Sequence, residues 1–154
     1  MLPEAIEEDA AKAIGLILFE FTRLDMNLGL CLVWTNGGQN LEQLTSKYNE
    51  KSFSCRLKFI EKLACKKYNP SSKELNKYLN WIKNANEVRK LRNKLVHGRY
   101  GFIPHQGCIA NVVGLPTSSE QSETRYTVKQ LNNILKRIKK MSVKLSELRD
   151  ECPI

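Results

Sequence analysis

Residues 3–34 read PEAIEEDAAKAIGLILFEFTRLDMNLGLCLVW, and their spacing decides the fold class. Ile6, Ala10, Ile14, Ile17, Phe21, Leu24, Leu28 and Cys31 recur every three or four residues, which puts them on one face of a long amphipathic helix. Pro3 and Glu4 suit its first turn, because proline lacks the N–H that goes unused there and acids favour the positive end. Thr35, Asn36, Gly37 and Gly38 stop it near Trp34.

The same period continues outward. Leu41 to Tyr48 fits a short helix. Ser52 can cap a second main helix through Phe53, Leu57, Ile60, Leu63 and Ala64, which ends before Asn69 and Pro70. Ser71 and Glu74 have the spacing of a capping box for a third, running through Leu75, Leu79 and Ile82 toward His97, with Gly98 as the turn residue behind it. Thr127 and Gln130 form another box, before Val128, Leu131, Leu135, Ile138, Met141, Leu145 and Leu148. Trp34 and Trp81 sit at helical positions and read as core. Residues 98–126 break the pattern. They hold Gly101, Pro104, Gly107, Gly114 and Pro116, β-favouring pieces at Cys108–Val113 and Arg125–Thr127, and a polar run from Thr117 to Glu123. The expectation is a single all-α domain over 1–154. It would be an up-and-down four-helix bundle with an irregular or small β-hairpin insert between helices 3 and 4.

With 154 residues and 42% apolar content, the chain can bury one core. No apolar run is long enough to cross a bilayer, and the acidic start (Glu4, Glu7, Glu8, Asp9) is no secretory leader, so a cytoplasmic protein without a membrane partner is expected. The five cysteines form no C-x-x-C pair, and with two histidines they give no recognisable zinc spacing. Free thiols in a reducing compartment follow. Charge is uneven. Residues 1–50 carry 3 basic and 8 acidic side chains, residues 51–99 carry 14 and 3, and residues 100–154 carry 8 and 5. A middle segment of +11 concentrates polyanions, chiefly nucleic acid.

That segment ends in Leu91-Arg92-Asn93-Lys94-Leu95-Val96-His97-Gly98. An arginine with a polar neighbour, then a histidine after a gap of four at a helix end, resembles the signature of the HEPN superfamily. The resemblance implies a metal-independent endoribonuclease, a toxin or defence effector restrained by an antitoxin or other inhibitory protein. It also implies a site at a homodimer interface, with no cofactor. Arg92 and His97 would be catalytic, with Asn93 orienting. The chemistry suits those side chains. RNA transesterification needs a base for the 2′-hydroxyl proton and an acid for the leaving oxygen, and a histidine, titrating near neutral pH, can serve either step. An arginine fork matches the charge that grows on the phosphoryl oxygens.

Lys90, Lys94 and Arg99 are candidate RNA-backbone contacts, and Glu20 and Asp25 are candidate supports for Arg92. Five residues on a regular helix turn side chains about 140° apart, so Arg92 and His97 of one chain converge only if the last turn is distorted, and otherwise a second copy completes the pocket. Tyr100 stands three residues after His97, where HEPN toxins paired with nucleotidyltransferase antitoxins have a tyrosine two after. The rival reading keeps the same bundle as a non-catalytic RNA-binding or dimerisation module, in which His97 only caps its helix. A helix-turn-helix regulator fits poorly, since the helices are too long. There is no phosphate-cradling glycine loop and no carboxylate cluster for magnesium.

Overall fold

A computed structural model describes residues 2–154. It is mostly helical, with one small antiparallel sheet. The helices are α1 (Pro3–Val33), α2 (Leu41–Tyr48), α3 (Phe53–Lys67), α4 (Lys73–His97) and α5 (Val128–Glu151). Between α4 and α5 lie β1 (Arg99–Ile103), β2 (Cys108–Val113) and β3 (Ser122–Tyr126), in sheet order β1-β2-β3. The register pairs Gly101 with Ala110 and Ala110 with Arg125. The insert is thus a three-stranded sheet. The expected pieces at 108–113 and 125–127 overlap β2 and β3, and β1 is the strand the sequence reading lacked. No helix among the described residues is long and apolar enough to cross a membrane.

Helix ends follow local chemistry. Ser52 Oγ accepts from Cys55 N at the start of α3. At α5 the capping box closes both ways, Thr127 Oγ1 accepting from Gln130 N and Gln130 Oε1 accepting from Thr127 N. The expected Ser71 box at α4 is corrected. The helix begins one residue later, and Ser72 Oγ accepts from Leu75 N. Behind α1, Asn36, Gly37 and Gly38 take left-handed φ values of 55°, 68° and 78°, which ends the helix. Trp34 lies past the last helical residue and is 47% exposed, its ring against Gly38 instead of the core, a second correction.

Contacts group the chain into two compact units, each built from separate stretches of sequence. The first comprises residues 1–21 and 88–138. Ile17 and Phe21 of α1, Val88 and Leu95 of α4, Ile109 of β2, and Leu131 and Ile138 of α5 are buried in it. The second comprises residues 22–87 and 139–154. Its buried set includes Leu24 and Leu28, Leu57 and Ile60, Tyr78 and Trp81, and Met141 and Leu145. Two long-range bonds tie buried rings there to backbone, Tyr78 Oη to Cys152 O at 2.7 Å and Trp81 Nε1 to Met141 O at 3.0 Å. Such bonds remove the cost of burying a polar tip. All five cysteines are free.

Candidate functional site: the C-terminal end of α4

Burial along α4 runs through Leu75, Tyr78, Trp81, Ile82, Ala85, Val88 and Leu95, with Leu79 and Leu91 half-buried. That stripe drifts around the helix, and against its last buried positions, Val88 and Leu95, Arg92 lies about 40° from Val88 and His97 about 180°. Exposure agrees: Arg92 is half-buried and His97 is exposed. The Arg92 guanidinium carbon lies 4.3 Å from the centre of the buried Phe21 ring. This cation–π contact, worth about 0.5–2 kcal/mol, holds the fork against α1.

Lys90, Lys94 and His97 recur at four and three on the exposed side of α4, and half-buried Asn93 lies one turn before His97. The structure therefore brings Lys90, Lys94, Asn93 and His97 onto one side of the helix, and it puts Arg92 on the other. No distortion draws them together. The Gly98 N–H donates to Lys94 O at 3.0 Å, an ordinary α-helical bond, and α4 is helical through His97.

The sheet fastens this helix end. Asn111, fully buried on β2, donates from Nδ2 to Lys94 O at 3.2 Å, and the Tyr100 hydroxyl on β1 donates to Leu95 O. A helix leaves its last carbonyls without intrahelical donors; here Tyr100 supplies one to Leu95 O, and Asn111 adds a second bond to Lys94 O, which already accepts from Gly98 N–H. The amide orientation is fixed by that bond, since a flipped Asn111 would set oxygen against oxygen. Asn111 Oδ1 has no hydrogen-bond partner among the described residues. Burial pushes the Tyr100 hydroxyl above the ordinary tyrosine range, and the Asn111 amide beside it pulls the other way.

Gly98 has a different role from the one expected. It is absent from the left-handed positions, yet a Cβ built on it would lie 2.5 Å from Asn111 Cγ and Oδ1 and closer still to Nδ2. The glycine is there so that Asn111 can reach the helix end. The His97 ring makes no hydrogen bond among the described residues; Lys94 O is satisfied by Gly98 N–H and Asn111, and Leu95 O by Tyr100, without it.

Arg99 is exposed, and its guanidinium is tied to the turn after β2, to Gly114 O at 3.3 Å and Gln121 Oε1 at 2.7 Å. Glu20 is half-buried on α1. Asp25 belongs to the second unit, where Arg56 takes it. The Nη1 of Arg56 lies 2.9 Å from Asp25 Oδ1 and also donates to Asp25 O, while Nη2 donates to Tyr48 O and Asn49 O at the end of α2. Among the described residues, no group of three or more His, Cys, Asp or Glu could hold a metal ion.

The sequence reading missed the parts played by Phe21, Asn111 and Tyr100. Phe21 was legible only as a core position, and nothing local marks Asn111 as a cap for a helix 17 residues earlier. No family model matches the chain, and neither a search of curated proteins nor one of solved structures finds a match.

Proposed function

We propose that the chain is a HEPN-like, cytoplasmic, metal-independent endoribonuclease, an up-and-down four-helix bundle of α1, α3, α4 and α5 acting as a homodimer. The observation that carries this reading is the α4 end itself. A regular last turn, fastened by Asn111 and Tyr100, presents His97 with Lys90 and Lys94 to solvent and keeps Arg92 on Phe21, about 140° away. Since one chain does not converge the pair, Arg92 of one protomer serves His97 of the other across a twofold axis. The expected toxin role, with an antitoxin or other inhibitory protein as partner, belongs to this same reading.

In the proposed reaction the RNA 2′-hydroxyl loses its proton to a base and its oxygen attacks the adjacent phosphorus. The bond to the 5′-oxygen breaks, and that oxygen takes a proton from an acid. His97 is the acid or base, Asn93 orients its ring, and Arg92 meets the charge on the phosphoryl oxygens. Lys90, Lys94 and Arg99 hold the flanking phosphates, which makes binding weaken steeply with salt. Labelled structured RNAs in EDTA test this. Wild type is expected to cleave, and His97→Ala to lose on the order of a hundredfold or more in rate. If both are inert on every RNA, the enzyme reading fails, and salt-sensitive RNA binding that survives the substitution assigns the chain to the binding-module class.

A further inference from the structure

The first unit contains a cleft of about 390 Å³ that the nuclease reading does not use. Its α1 wall is Ala10, Ala11, Ile14 and Leu18, and Phe102 and Ile109 of the sheet face them. The volume is within the range of ligand-binding clefts. Two features identify what it takes. The first is Gly101, which lines the cleft between Tyr100 and Phe102. A glycine can only contribute main chain, so the backbone of β1 forms part of the wall.

Strand β1 is the sheet's edge, paired on one side with β2. In an antiparallel pair alternate residues turn their N–H and C=O toward the partner strand, so among Tyr100, Gly101 and Phe102 at least one residue turns them outward. Arg99, Tyr100 and Gly101 of this strand are exposed. The second feature is charge. Glu7 lines the cleft, and Glu4, Glu7, Ala11 and Leu18 recur at three, four and seven along one side of α1. One end of an apolar groove is therefore acidic, on a protein of net charge +9.

We propose that this cleft receives an extended segment of a partner polypeptide, which adds a strand to β1. It inserts apolar side chains at alternate positions and carries a lysine or arginine at the end that reaches Glu4 and Glu7. Main-chain bonds to the open edge supply affinity, and the apolar pocket and acidic rim supply selectivity. Tyr100 lines the cleft and its hydroxyl holds the Leu95 carbonyl, so an occupant touches a residue that fastens the helix end carrying His97. The proposal does not rest on the nuclease reading.

A phage-displayed library of random seven-residue peptides, selected on the immobilised full chain, tests it. Recovered peptides are expected to alternate apolar residues and to end in a lysine or arginine. Gly15→Leu fills the cleft from a helical position where a Cβ meets nothing within 4 Å, and it exchanges a poor helix former for a good one, so the variant folds. It and Glu7→Lys are expected to weaken these peptides at least tenfold, while Asp9→Lys, about 160° around the helix from Glu7, changes binding less than twofold. Amide hydrogen exchange of residues 99–103 slows in the complex. The proposal is overturned if no recovered peptide distinguishes wild type from Gly15→Leu, if the peptides are acidic, or if β1 exchange is unchanged. It is also overturned if light scattering finds a wild-type dimer that Gly15→Leu dissociates, since the occupant is then a second copy.

Discussion

Substituting Gly98 by alanine tests how the sheet fastens α4. In an ordinary helix end with φ outside the left-handed region, Gly→Ala stabilises by about 0.4–1 kcal/mol, because the unfolded chain loses freedom. Gly98 meets that backbone condition, so local reasoning predicts a gain. The surroundings reverse the sign. The added methyl overlaps the Asn111 amide, and Asn111 is fully buried with no solvent to retreat into. Either β2 shifts, at about 1–3 kcal/mol for overpacking, or Asn111 swings away and leaves its buried Nδ2 unpaired, at about 1–3 kcal/mol, while Lys94 O keeps the Gly98 N–H.

Net of the unfolded-state gain, we expect Gly98→Ala to cost about 1–2 kcal/mol, a fall of roughly 2–8 °C in Tm for a chain of this size. Urea unfolding of Gly98→Ala, Asn111→Ala and the double variant isolates the cause. With the amide removed the methyl has room, so Gly98→Ala should cost less than about 0.5 kcal/mol in the Asn111→Ala background. A single-variant cost below that value, or equal costs in both backgrounds, refutes the reasoning.

Three further outcomes follow from other contacts. Arg56→Ala removes the cation paired with Asp25 and the donor to Asn49 O, while Tyr48 O keeps its bond from Lys51 N–H, and should cost about 1–3 kcal/mol in denaturant titration, with Arg56→Lys a poor rescue because one ammonium cannot span the donors of a planar fork. Ser72→Ala should cost about 1 kcal/mol and Ser71→Ala less than half of that, the reverse of what the sequence pattern suggests. Burial pushes the Cys31 thiol up to about 11, against an opposing pull from Arg149. Above pH 9 the unfolded chain loses this proton and the folded chain keeps it, so stability falls as pH rises from 9 to 11, by about 2–3 kcal/mol for this group. Chemical denaturation across that range should lose that part of the slope in Cys31→Ala.

The helices were legible because their signal is local. A three- to four-residue apolar period, a serine or threonine at the start and a left-handed turn at the end are all written within one segment, and Thr127 with Gln130 closes as its spacing suggests. Ser71 and Ser72 show the limit of such reading, since neighbouring hydroxyls offer equal chemistry and one residue of register decides between them. Strand β1 was hidden because Arg99-Tyr100-Gly101-Phe102-Ile103 has a central glycine and no clean alternation. It is a strand because β2 pairs with it. At the site, the motif and its exposed lysines could be read from order along the helix. The cap from Asn111, the Phe21 platform and the Asp25–Arg56 pair join residues 17 to 71 positions apart, and nothing in a local window encodes those distances.

The divided site is tested most directly by subunit mixing. Arg92→Ala and His97→Ala chains are purified separately, each inactive, then mixed in equal amounts under conditions that exchange subunits and assayed for RNA cleavage in EDTA. If Arg92 of one protomer serves His97 of the other, half the dimers are mixed and each has one intact site, so activity returns to roughly a quarter of wild type. A mixture as inactive as its components, although native mass spectrometry finds the mixed dimer, would contradict the account.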